Sequence, residues 1–316
     1  MRSWLSLTAV LAVSLFACKE APPPTANEAK PQAAAEAAAP PPQPASQRPS
    51  EAPSAAQAGP PFLWRIDTKV GPSYLFGTMH LGVSADKDVH PMVWDALAKS
   101  ERVTLEIIGS ELSFSQTQEL LFLPDGQSLR KDLSEKQWGI LKKNVKGFPE
   151  AQLGRVSPLM ASVLISSQWL PSQTPLDQVI EARARTGEKQ VFGLEGFTET
   201  KSFTQNPAHV KYLAVMLEDL DRAKKELAEM HAAYLAGDAE AMLSLVFSEE
   251  NQAKFPELYE QLFYQRNRAW VPKLEKQLAQ GKAFIAVGAG HLLGEQSVVA
   301  LLRAKGYEAK RVEPSK

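Results

Sequence analysis

Two short stretches of this chain end an apolar run with a glycine and place a histidine three residues later. They are Tyr74-Leu75-Phe76-Gly77-Thr78-Met79-His80-Leu81-Gly82 and Ile285-Ala286-Val287-Gly288-Ala289-Gly290-His291-Leu292-Leu293-Gly294. The glycines Gly77 and Gly288 let the backbone turn sharply at a strand end. The histidines then sit on loops outside a sheet, where open α/β folds collect their ligands. Two such turns on neighbouring strands would bring His80 and His291 together, and paired imidazoles suit a divalent metal. The chain has only five histidines, so the matched contexts carry weight.

Two carboxylates occupy comparable places. Glu106 interrupts the apolar run Val103-Thr104-Leu105-Glu106-Ile107-Ile108, and Glu195 directly follows Val191-Phe192-Gly193-Leu194. A buried acid costs several kcal/mol unless it is paired or metal-bound. Each therefore needs a partner, either a metal or an arginine such as Arg266 or Arg268. Other chemistries find no support. There is no His-Glu-x-x-His helix, no Gly-x-Ser-x-Gly elbow, no phosphate loop and no complete dinucleotide fingerprint. His90 precedes Pro91 at a helix start, while His209 and His231 fall on charge-rich helical stretches and read as surface residues.

The elements that must hold these groups follow from the same text. Phe62–Ile66 and Tyr74–Phe76 read as a hairpin around a Gly-Pro turn, Pro91–Lys99 as a helix, and Arg102–Ile108 as a buried strand. Ser134 caps a helix through Lys146, and Pro158 opens another through Trp169. Leu176–Thr186 is helical and leads into a strand, Gln190–Leu194. A long amphipathic helix spans Pro207–Leu235 and ends at Gly237. Further helix runs through Phe247 and from Phe255 to Leu278, and the chain closes strand–helix–strand over Ala283–Val287, Gln296–Lys305 and Tyr307–Val312. Strands gather at both ends of a helical middle, so the fold class is α/β with a large helical insertion.

At these residues the chain resembles the TraB/GumN family, related to the Tiki membrane-anchored proteases. The Gly77–His80 and Gly288–His291 turns carry the resemblance, with Glu106, Pro175-Leu176-Asp177, Gly193-Leu194-Glu195 and the pair Arg266-Asn267, in the family's order. It covers nearly all of residues 62–312. The resemblance implies a Tiki-like fold, a central sheet from two βα repeats, and the metal-dependent peptidase activity of the Tiki branch. It implies that His80 and His291 are the paired histidines, Glu106 and Glu195 the acids, and Arg266 and Asn267 their supports. The family often has Glu-Leu-Asp where this chain has Glu106-Ile107-Ile108.

The resulting expectation is a hydrolase of peptides or proteins. His80, His291 and one glutamate hold manganese, cobalt or zinc while the other glutamate accepts the water proton; the sequence leaves both assignments open, and Glu106 as ligand with Glu195 as base is the favoured one. The alternative is a non-catalytic protein that binds a peptide or polymer in the same cleft.

The 316 residues carry 35 basic and 36 acidic side chains, which gives no global electrostatic reason to bind nucleic acid. A single cysteine excludes internal disulfides and thiolate zinc sites. That cysteine, Cys18, closes an apolar run from Trp4 in Leu15-Phe16-Ala17-Cys18, a pattern resembling a lipoprotein signal peptide over residues 1–18. Residues 19–61, where about half of the 23 prolines fall, read as an Ala/Pro-rich disordered tether. The domain then occupies 62–316. The leader implies a lipid anchor at Cys18 in a bacterial envelope, with no aspartate after it to retain the protein at the inner membrane. The expected location is the outer membrane, facing the periplasm.

Overall fold

The computed structural model describes residues 59–172 and 174–314. The leader, Cys18 and nearly all of the tether lie outside the described residues. The protein is an α/β fold around one six-stranded mixed sheet: β1 (Leu63–Ile66), β2 (Ser73–Thr78), β3 (Arg102–Leu105), β4 (Gln190–Gly193), β5 (Ala283–Gly288) and β6 (Ala309–Arg311). The strand order is β4-β3-β5-β2-β1-β6. β1 pairs antiparallel with β2 and with β6, whereas β4, β3, β5 and β2 run parallel to one another.

The central strands β2 and β5 are buried along their whole length, as the apolar runs Tyr74-Leu75-Phe76 and Ala283-Phe284-Ile285-Ala286-Val287 require when helices cover both faces. Their register pairs Gly77 with Val287 and Thr78 with Gly288, so both histidine turns leave the sheet side by side. Gly77 cannot be larger. A Cβ there would lie 3.0 Å from Ala289 Cα and 3.0 Å from Phe62 Cβ.

Several boundaries depart from the sequence expectation. The third strand stops at Leu105, so Glu106 sits just past its end, and a 3-10 turn over Gly109–Glu111 follows. The 207–235 helix is two helices, Ala208–Glu218 and Leu220–Ala236. The break is at Asp219 (φ −145°, ψ 77°), whose carboxylate accepts the Arg222 amide and caps the second helix. The final strand shortens to Ala309–Arg311. Gly237, at φ 66°, ends the second helix as its position suggested. The Phe255–Leu278 stretch opens with a short helix, Pro256–Tyr259, passes through a π turn over Glu260–Tyr264 and becomes regular over Gln265–Gln280. Among the described residues, no helix is long and apolar enough to cross a membrane.

Candidate functional site

Four adjacent parallel strands deliver four side chains from their carboxyl ends. In sheet order these are Glu195 after β4, Glu106 after β3, His291 after β5 and His80 after β2. His80 and His291 are only 4% and 1% exposed. The Nε2 atoms of both rings face one oxygen, Glu106 Oε1, at 3.9 Å from His80 and 3.8 Å from His291. The same oxygen accepts the Gly288 amide at 2.7 Å. Gly288 must lack a side chain to leave this space open, because a Cβ would stand 3.2 Å from His80 Nε2 and 3.4 Å from Glu106 Oε1.

Each imidazole is oriented from behind. His80 Nδ1 is 2.6 Å from Asp177 Oδ2, and Asp177 also accepts the Thr78 hydroxyl at 3.2 Å. His291 Nδ1 is 2.6 Å from Asn267 Oδ1, while the Asn267 amide donates to the Gln296 carbonyl. The Gln296 bond fixes the Asn267 amide so that its oxygen faces the ring. With Nδ1–H spent this way, His291 presents a bare Nε2 lone pair. Phe263 and Trp270 pack on the His291 ring, at 5.2 and 4.4 Å between centroids.

Arg266 joins the acids. Its Nε and Nη2 meet Glu195 at 2.6 and 3.0 Å, Nη2 also donates to Glu106 Oε2 at 2.7 Å, and Nη1 lies 3.2 Å from His291 Nε2. Trp270 Nε1 donates to Glu195 Oε1 at 2.9 Å. The π turn at Glu260–Tyr264 immediately precedes Arg266, and such turns cluster at functional sites. Arg268, the other cation named as a partner for the acids, pairs with Glu260 on the surface.

The electrostatics follow from this packing. Burial alone would lower the His80 pKa, but the charge and hydrogen bond of Asp177, with Glu106 beyond, push it up to about 9. His291 is carried down to about 3 by burial and by the Arg266 and His80 charges, against the pull of Glu106. Burial raises Glu106, yet the Arg266 charge foremost holds it down to about 2. Arg266, despite its burial, is raised by both glutamates.

The donor types suit a divalent cation: two imidazole nitrogens lie within 4 Å of one carboxylate oxygen, Glu106 Oε1, with the far ring nitrogens already bonded. The spacing is slightly open. Two ligands at about 2.1 Å from a tetrahedral ion stand roughly 3.3–3.6 Å apart. Accordingly, among the described residues no three His, Cys, Asp or Glu side chains stand as a closed coordinating group. A cavity of about 340 Å³ opens beside Glu195, walled by Ile107, Ile108, Leu112 and Phe197, with Lys273 at its rim.

The structure thus brings together His80, His291, Glu106, Glu195, Arg266 and Asn267. It adds Asp177, to which sequence reasoning gave no role although it stood in Pro175-Leu176-Asp177. The other histidines lie elsewhere, and two correct the surface expectation. His209 is buried, with Nε2 on the Phe203 carbonyl, and His231 is half-buried, bonded to the Gly82 carbonyl. His90 caps its helix through the Met92 amide.

Fold and site together define an α/β protein in which two histidines and two glutamates crown the ends of four parallel strands. The chain belongs to the TraB/PrgY/gumN family, whose sequence profile matches residues 62–311. It is similar to the "Metalloprotease TIKI homolog" of Amphimedon queenslandica, 25% identical over 320 residues, 79% of this chain and 61% of that protein. This chain therefore spans about three fifths of that relative. It is also similar to the "Uncharacterized protein YbaP" of Shigella flexneri, 26% identical over 73% of this chain and 88% of that one. The protein of the same name in Escherichia coli (strain K12) is 25% identical over 73% and 87%. No solved structure matches.

Proposed function

We propose that this protein is a metal-dependent hydrolase of peptide or protein substrates. One observation carries the reading: from adjacent strand ends, His80 and His291 both bring Nε2 within 4 Å of Glu106 Oε1, with Asp177 and Asn267 fixing the rings. When bound, manganese, cobalt or zinc would supply a Lewis acid for a scissile carbonyl and a lowered pKa for water. The protein's own groups do the rest. His80, on giving up its Nε2 proton, and His291 offer Nε2, and Glu106 offers Oε1. Arg266 brings positive charge to the place where a substrate carbonyl gains negative charge. Glu195 has both oxygens on Arg266, and the geometry favours it as the residue that positions that guanidinium over its expected role as base. The apolar wall of Ile107, Ile108 and Leu112 gives a side chain of the substrate somewhere to sit.

The metalloprotease named among the relatives supports this reading. A second reading, a non-catalytic binder of a peptide or polymer, is favoured by one feature. Arg266 pairs with both Glu106 and Glu195, so each acid already has a cationic partner within the protein. Metal analysis separates the two. The wild-type protein, incubated with manganese, cobalt or zinc, is expected to retain one ion per chain, and His80→Ala or His291→Ala to retain none. Wild-type protein that holds no stoichiometric metal ends the hydrolase reading.

A further inference from the structure

Arg266 is buried at the centre of the site, and all three guanidinium nitrogens are engaged. Nε bonds Glu195 Oε1, and Nη2 bonds Glu195 Oε2 and Glu106 Oε2. Nη1 reaches the Leu262 carbonyl at 3.3 Å and His291 Nε2 at 3.2 Å. The guanidinium also lies 4.9 Å from the Phe203 ring centre and 4.6 Å from that of Trp270. One of these contacts conflicts with the proposed activity. His291 has a single free lone pair, because its Nδ1 proton is held by Asn267, and that lone pair faces Arg266 Nη1. It cannot serve an arginine and a metal at once. Two buried glutamates meanwhile need a nearby positive charge whether or not an ion is present.

We propose that Arg266 is a resident cation that closes the site in the metal-free protein, and that a divalent metal binds by taking His291 Nε2 from its Nη1. The proposal rests on reading His80, His291 and Glu106 as the metal's donors. Exchange needs no refolding. Nε and Nη2 can keep both bonds to Glu195, and Nη1 can keep the Leu262 carbonyl. The guanidinium and the metal repel, so Arg266 lowers metal affinity while it stabilises the empty site. Once released, Nη1–H is left facing the space where a substrate oxygen would be drawn in.

The test uses the full chain, stripped of metal and titrated with manganese, cobalt or zinc chloride alone, read by calorimetry and by thermal unfolding. The double variant Glu195→Gln/Arg266→Gln removes one charge of each sign, so net charge is unchanged while the competitor is gone. It should bind at least about tenfold more tightly than wild type, the scale on which contacts around metal ligands act, and show a larger metal-induced rise in Tm. Adding His291→Ala should erase the gain. Arg266→Lys, which keeps the charge but cannot span both acids and the imidazole, should shift the same way and stands in if the double variant fails to fold. Equal or weaker binding in the variants, with wild type still binding, overturns the role of Arg266 and leaves the metal site standing. No binding in any of these proteins overturns both.

Discussion

An imidazole serves a cation only through the nitrogen that its other neighbours leave free, which makes Asp177 and Asn267 as consequential as the rings they hold. Asp177→Asn keeps an acceptor for His80 Nδ1 but removes its charge. We expect metal affinity to fall by about 10- to 100-fold, measured by calorimetry, with the fold intact by circular dichroism. Gly288→Ala isolates the site from the fold. The φ of Gly288, −52°, suits alanine, so the backbone is not strained and the unfolding free energy should fall only by the crowding cost, about 1–3 kcal/mol, while the methyl fills the space between His80 and Glu106 and blocks metal binding. Wild-type affinity in that variant would place the metal elsewhere. His80, His291 and Glu106 were legible in the sequence because a glycine-turn histidine and an acid in an apolar run are both conspicuous. Asp177 was not. An aspartate in the first turn of a helix reads as an ordinary partner of the helix dipole, and nothing local shows that a histidine 97 residues away leans on it.

Among the elements, β2 and β5 were legible because each is a continuous apolar run, and the direction they share with β3 and β4, which the sequence did not show, is what aligns the four carboxyl ends. The helix break at Asp219 was hidden by an amphipathic pattern that continues through it. A backbone turn costs the pattern nothing when the capping side chain is supplied on the spot. The first of the two helices also carries His209, whose Nε2 donates to the Phe203 carbonyl while Nδ1 lacks a partner among the described residues. Burial carries its pKa down to about 4 from the usual 6.5, with the Phe203 bond opposing. Between those values the unfolded chain takes up a proton that the folded one refuses, so stability is complete above pH 6.5 and drains away as pH falls towards 4. His209→Gln keeps the bond to Phe203 and should lose this dependence. Urea unfolding at pH 7.5 and 4.5 should show an acid penalty about 2 kcal/mol smaller than in wild type, and an unchanged penalty would refute the assignment.

For the whole molecule, the sequence is expected to divide into an apolar leader, a proline-rich spacer and a folded domain, with the cysteine at the leader's end setting the expected address. We propose that Cys18 carries a lipid that holds the domain at the envelope. Cys18→Ser should abolish incorporation of labelled palmitate and release the protein from the membrane fraction, and persistent labelling would exclude the anchor. One feature of the sheet has a temporal consequence. β5 lies in the middle of the sheet, between β3 and β2, yet comes from residues 283–288 of a 316-residue chain. A ribosome that has released the first 280 residues has made His80, Glu106, Glu195 and Arg266, but the strand that joins one half of the sheet to the other does not yet exist. The two halves of the sheet meet only through β5, so the cluster needs residues 283–288 in place. The four parallel strand ends are brought side by side only when this late segment is inserted, so assembly of the cluster is tied to completion of the sheet.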